Sequence, residues 1–392
     1  MKNLEVSDKH IGLKVVLFIV FLVIAVSAFS YGVTLIGKKE SGYQSISVSS
    51  SSQGSEVATF AKEISFSHYF EGTSNSIKKE VRTLQKVYTS ILYDVCRQLD
   101  AENTYEGAVS LGALNSNLGV AVSVSPELYA VLKDAYSRTL EKKNFNMFAG
   151  ALYAEWKSIL ILDDASEFDP LNNEYMTYRI GEIAKEVSDL SNFTLEFLDD
   201  STCTVLFDVS EHYLAFSSEF ELSSVVLDLN LMTNAYKLYL LAQELEALGY
   251  KNGYLVSNDG LVVTLSETFE QSFVLYGIEN ENPLSSNIVE RGAVAVSGAA
   301  SKVYMSAFAF GSYYNATVNG HLRNLFFDTT TGESHEVILS CTIISNDTSD
   351  EASSIVENMA NLLYLCSLSS KSAVQEAISE LSSECFVDCS FY

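Results

Sequence analysis

The residues best placed for chemistry lie in "LDLNLMTNAYKLYLLAQELEALGYKNGYLVSNDG", Leu227 to Gly260. The stretch reads as strand, short loop, helix, turn and strand. A helix that follows a strand so closely turns its free N–H groups toward the loop, where they can hold a phosphate. Asn230, Thr233 and Asn234 stand at that loop, and Asn258 and Asp259 at the turn after the second strand. Yet "NLMTN" contains no glycine and no charge. Lys237 comes three residues after Asn234, about one helical turn on. Asn-Asp-Gly is also an ordinary tight turn between strands.

The rest of the chain must position these residues. It has 392 residues, 47% of them apolar, enough to bury a sizeable core. With 50 acidic against 24 basic residues the formal charge is -26, which repels nucleic-acid phosphates and excludes nucleic acid as a partner class. Residues 15–36, "VVLFIVFLVIAVSAFSYGVTLI", carry no charge. As a helix they would span about 33 Å, the depth of a bilayer core. The expectation is a cytoplasmic tail over 1–14, a single transmembrane anchor over 15–36, and the bulk of the chain outside the cell membrane. A cleaved signal peptide ending near "VSA" is the rival, but the apolar run continues past that site. Residues 37–59 are serine-rich and without an apolar face, and read as a linker.

A domain over 60–392 follows. "HYFEGTSNSI" reads as a strand, and Lys78 to Leu99 as a helix by its apolar spacing. A second helix starts at Pro126, with Ser125 as its cap. "FTLEFLDDSTCTVLFDV" is a hairpin. Strands and turns fill 261–345, and helices over Asp350 to Cys366 and Ser372 to Leu381 close the chain. Strand-rich runs mixed with helix pairs give an α+β class with mixed, mostly antiparallel sheets and packed helices. Six scattered cysteines include no CxxC pair and no zinc spacing. Cys96 reads as a buried structural thiol, while Cys385 and Cys389 are close enough in sequence to form a disulfide if the compartment is oxidising, the less favoured alternative to free thiols.

In order, "FEGTSNSI", "LNSNLGVAVSVSPELYAVLKDA", "FNMFAGAL", the 227–260 stretch, "AVSGAAS", "LFFDTTTG" and "TIISNDTSDEASSI" resemble the successive motifs of the FAD:protein FMN transferase (ApbE-like) family. The resemblance runs from about Phe66 to Cys366. It implies the ApbE-like fold, preceded here by the N-terminal anchor. It also implies an extracytoplasmic enzyme that uses FAD and magnesium, moves FMN to a threonine hydroxyl of a target flavoprotein, and releases AMP.

Carried over residue by residue, the resemblance places Asn230, Thr233, Asn234, Asn258, Asp259, Ser297, Gly298 and Asp328 at the flavin nucleotide, and Asp350 and Ser354 at the metal. The family's phosphate loop "GGIAKG" falls on Asn230 to Ala235, where Leu231 and Met232 would crowd the ligand and Asn234 replaces the lysine. The family's histidine falls on Leu325. Arg291 and Arg323 are the nearest cations to these motifs, each with a solvated charge as its ordinary reading. Three functions remain open: a divergent FMN transferase, an inactive homologue that binds a flavin nucleotide or serves as a protein-binding scaffold, and a structural surface protein with no ligand.

Overall fold

The computed structural model describes residues 39–49, 54–141, 143–162, 165–265, 270–279, 287–306, 316–346 and 354–392. In chain order its strands are β1 (Lys39–Ile46), β2 (Ile64–Thr73), β3 (Val120–Ser123), β4 (Phe193–Asp199), β5 (Thr204–Val209), β6 (Gly253–Ser257) and β7 (Val262–Thr264). β8 (Glu270–Glu279), β9 (Asn287–Ser297), β10 (Ala300–Ser306), β11 (Ala316–Val318), β12 (His321–Arg323), β13 (Ile338–Asn346) and β14 (Phe386–Phe391) follow. The main sheet runs β1-β2-β6-β7-β10-β13-β14, and every neighbouring pair is antiparallel. Sheet order therefore follows chain order, with the helical layer and the small β3-β5-β4 sheet inserted between β2 and β6.

The helices form where local signals and apolar spacing agree. Thr73 closes β2 and caps the Ser74–Gln98 helix in a capping box with Ser76. That helix buries Leu84, Tyr88, Leu92, Val95 and Cys96 on one face. Pro126 opens the Pro126–Glu141 helix, and the Leu128 N–H donates to Ser125 Oγ at 3.1 Å. The Thr233–Ala247 helix buries Leu238, Leu241, Ala242 and Leu245, and Gly249 at φ +88° turns the chain out of it. One continuous core joins these faces to the sheet.

Several expectations change. Residues 222–229 belong to no strand. Side-chain and loop bonds replace a ladder there. Asn115 Nδ2 donates to the Ala101 and Leu227 carbonyls (3.0 and 2.9 Å), and its Oδ1 accepts from the N–H groups of Val226 (3.3 Å) and Leu227 (2.8 Å). The Asp228 N–H donates to the Met147 carbonyl at 2.8 Å. Alternating leucines are thus buried without a strand, because core burial does not require sheet pairing.

The stretch expected to be a linker carries β1 and the Gly54–Glu63 helix. Backbone pairing to β2 needs no apolar period, and Ile46 is buried at its end. β14, also unforeseen, pairs with β13 at the other end of the sheet. The Cys385–Cys389 disulfide does not form. Cys385 precedes β14, and four extended residues separate the two Cα atoms by about 13 Å, beyond the roughly 7 Å limit of the bond. Residues 15–36 lie outside the described residues, among which no helix is long and apolar enough to cross a membrane.

Asn115→Ala takes away the side-chain amide that the Val226 and Leu227 N–H groups and the Leu227 carbonyl bond to. It is expected to lower unfolding stability by about 2–4 kcal/mol in urea titration. A loss within error of zero would show that the strap does not hold this segment.

Candidate functional site

The start of the Thr233–Ala247 helix opens into a cleft of about 420 Å³. The 223–231 segment, the start of the Gly150–Leu160 helix, residues 99–102 and Glu63 form its other walls. Gly150 lets that helix approach closely, since a Cβ there would meet the Val225 carbonyl at 2.6 Å.

Asn230 begins the loop at φ +51°, in the left-handed region that asparagine tolerates better than other non-glycine residues. Its N–H donates to Asp228 Oδ1 (2.9 Å) and its Nδ2 to the Asp228 carbonyl (3.0 Å), while its Oδ1 is buried without a partner among the described residues. The glycine-like backbone is therefore kept without glycine. Met232 turns into the core and is fully buried; Leu231 alone of the two lines the cleft. A 3-10 turn, Asn230–Met232, leads into the helix, and neither element has a side-chain cap. The 3-10 turn takes up the leading N–H groups: Met232 donates to the Leu229 carbonyl at 2.9 Å and Thr233 to the Asn230 carbonyl.

Charge at the helix start is internally compensated. Lys237 is 8% exposed, and its Nζ lies 2.7 Å from Glu63 Oε2. Burial works against its charge, but the neighbouring Cys96 sulfur and Glu63 carboxylate prevail and hold it above the usual lysine range. Asn234 Nδ2 donates to Asp259 Oδ2 at 2.8 Å, and the Ser257 hydroxyl also donates to this carboxylate. Burial still raises Asp259 above the usual carboxylate value, and burial does the same to Asp228. Asp100 goes the other way: burial opposes its charge, but hydrogen bonds led by Tyr105 and Asn103 hold it low. Cys96, at the cleft wall, is pushed up to about 12 by burial and is an inert thiol. Glu63, Asp100, Glu102, Asp228 and Asp259 thus face Lys157 and Lys237 around one cavity, five carboxylates to two ammonium groups.

Of the residues proposed for the nucleotide, Asn230, Thr233, Asn234 and Asp259 come together here. Asn258 does not line the cleft; its N–H donates to the Glu63 carbonyl at 2.7 Å. Ser297 ends β9, and Gly298, at φ +84°, begins the turn to β10. Asp328 folds back on its own turn, accepting from the Thr330 N–H (2.7 Å) and hydroxyl (2.6 Å). Leu325 does line the cleft, an apolar side chain where the family resemblance puts a histidine. Arg323 is no solvated charge, since its Nε donates to buried Asp169 at 2.9 Å. Arg291 pairs with Asp388 at 3.3 Å. Glu63 and Asp100 were not anticipated. Glu63 sits beside the stretch read as linker, and only the fold brings it to Lys237.

The expected metal pair fares differently. Asp350 lies outside the described residues. The Ser354 hydroxyl donates to Ser301 Oγ at 2.8 Å, and Asn358 Nδ2 donates to Ser301 Oγ and Ser345 Oγ, each at 2.8 Å. Magnesium takes oxygen donors, carboxylates above all. Here hydroxyls bond one another, an amide nitrogen faces them, and among the described residues no group of His, Cys, Asp or Glu side chains could hold a metal.

Solved flavin transferases share this fold. The solved flavin transferase ApbE of Vibrio cholerae has a TM-score of 0.54 at 10% identity, covering 90% of this chain and 94% of its own. The ApbE protein of Thermotoga maritima gives 0.54 at 14% identity (83% and 91% covered). The flavinyl transferase ApbE of Pseudomonas stutzeri gives 0.53 at 12% (90% and 95%). No curated protein sequence matches. The model of the ApbE family matches residues 71–362, and the chain belongs to that family.

Asp259 supplies a pH test. Its folded-state value is raised, so its contribution is full below the ordinary carboxylate value and is lost as pH rises through the folded value. Asp259→Asn escapes that loss. Its melting temperature is expected to gain on the native chain between pH 4 and pH 8, and parallel curves would contradict the assignment.

Proposed function

We propose that this chain is a membrane-anchored, extracytoplasmic flavin-transferase homologue that binds a flavin nucleotide without transferring FMN. The anchor rests on the uncharged run at 15–36, with short tail and lysine flanks. Flavin as the ligand class rests on family membership and on a cleft large enough for part of such a molecule.

Loss of transfer rests on one observation above the others: Lys237, the cation at the helix start, is already paired with Glu63. FMN transfer would have a threonine hydroxyl give its proton to a base and its oxygen attack the flavin-side phosphorus, with AMP leaving with the pyrophosphate bridge electrons. Charge builds on the phosphate oxygens, and cations or a metal must meet it. Here the cleft carries five carboxylates that oppose this charge, and Leu325 can neither stabilise it nor accept the threonine proton. What remains is recognition, by the apolar and amide side chains of the cleft, Leu231, Leu325, Asn230 and Asn234, toward rings. A target flavoprotein would then be a docking partner.

The test uses the full chain with FAD, magnesium and a threonine-bearing target protein. The expected result is saturable quenching of flavin fluorescence with no AMP released and no flavin bound covalently to the target. AMP release with covalent flavin would overturn the loss of transfer. Absence of any FAD binding would overturn the flavin assignment.

A further inference from the structure

Cys341 and Cys389 lie directly opposite each other in the β13–β14 pairing. Opposed residues of antiparallel strands have Cα atoms about 4.5–5.5 Å apart, inside the span that a disulfide bridges. Their sulfurs are 2.7 Å apart, against about 2.05 Å for the bond itself. Cys385 is turned elsewhere, its thiol toward the Leu381 carbonyl at 3.6 Å.

We propose that Cys341 and Cys389 form a disulfide that staples the closing strand β14 to β13. β14 is the last strand of the main sheet, and it also carries the β8–β9 hairpin. The Ile278 N–H donates to Ser390 Oγ at 3.2 Å, and Arg291 of β9 pairs with Asp388. A bond between residues 48 apart in sequence fixes this end of the fold.

The chemistry is thiol–disulfide exchange with a small disulfide such as glutathione disulfide. The half-buried Cys389 thiolate attacks it, and one glutathione leaves as thiolate. The Cys341 sulfur then attacks Cys389 of the mixed disulfide, and the second glutathione leaves. Two protein thiols are oxidised, one glutathione disulfide is reduced to two thiols, and the two thiol protons pass to the leaving thiolates. Burial, with Cys389 alongside, holds the Cys341 thiol well above the usual range, so Cys389 is the first to exchange.

The full chain in detergent is treated with glutathione disulfide, alkylated under denaturing conditions, digested and mapped by mass spectrometry. The expected product joins the Cys341 and Cys389 peptides and leaves the other four of the six cysteines alkylated. Cys341→Ala should stop at a glutathione adduct on Cys389. The oxidised chain should melt about 5 °C or more above the reduced one. Alkylation of all six cysteines, a bond from Cys366 or Cys385 instead, or equal melting temperatures would overturn the proposal.

Discussion

The ion pair between Lys237 and Glu63 is the constraint on which the character of the cleft depends. It joins the first turns of the Thr233–Ala247 helix to the end of the Gly54–Glu63 helix, just where β2 begins. The Asn258 N–H, donating to the Glu63 carbonyl, locks the turn after β6 onto the same point. The Asn234–Asp259 bond runs parallel to it. Two polar links therefore hold the helix start against the sheet, and each uses a group that would otherwise face a ligand. A buried pair of this kind need not add net stability. Its consequence here is to cancel the charge that an incoming phosphate would seek.

Much of the frame was legible in the sequence. Apolar spacing over Lys78 to Leu99 and the Ser125-Pro126 start both mark real helices, because burial face and capping chemistry are local properties. The β4–β5 hairpin shows as two alternating runs around a turn. Asn230, Thr233, Asn234 and Asp259 share a cleft as the motif order suggested, although Asn258, Asp328 and Ser354 do not. Asp328 and Ser354 spend their oxygens on neighbours in their own turn or cluster, which a motif comparison cannot register.

What was not legible depends on distant partners. β1 has a serine-rich sequence with no apolar period, yet it adds to β2 by backbone bonds that any residue type can make. The 222–229 segment has strand-like leucines, but Asn115, far upstream, takes the backbone groups a ladder would use. Arg323 reads as a surface charge until Asp169 is brought beside it in the interior. Met232 looks like an obstruction to the phosphate loop until the loop's left-handed turn at Asn230 directs it into the core. Retained packing with reassigned polar groups is the pattern throughout the site.

Whether Glu63 has taken up the charge of Lys237 decides the character of the cleft. Calorimetric titration of inorganic pyrophosphate into the native chain and into Glu63→Gln addresses it directly. The paired charge predicts weak binding by the native chain and at least about tenfold tighter binding by the variant, a gain of about 1.4 kcal/mol. Equal affinities for the two proteins would contradict it.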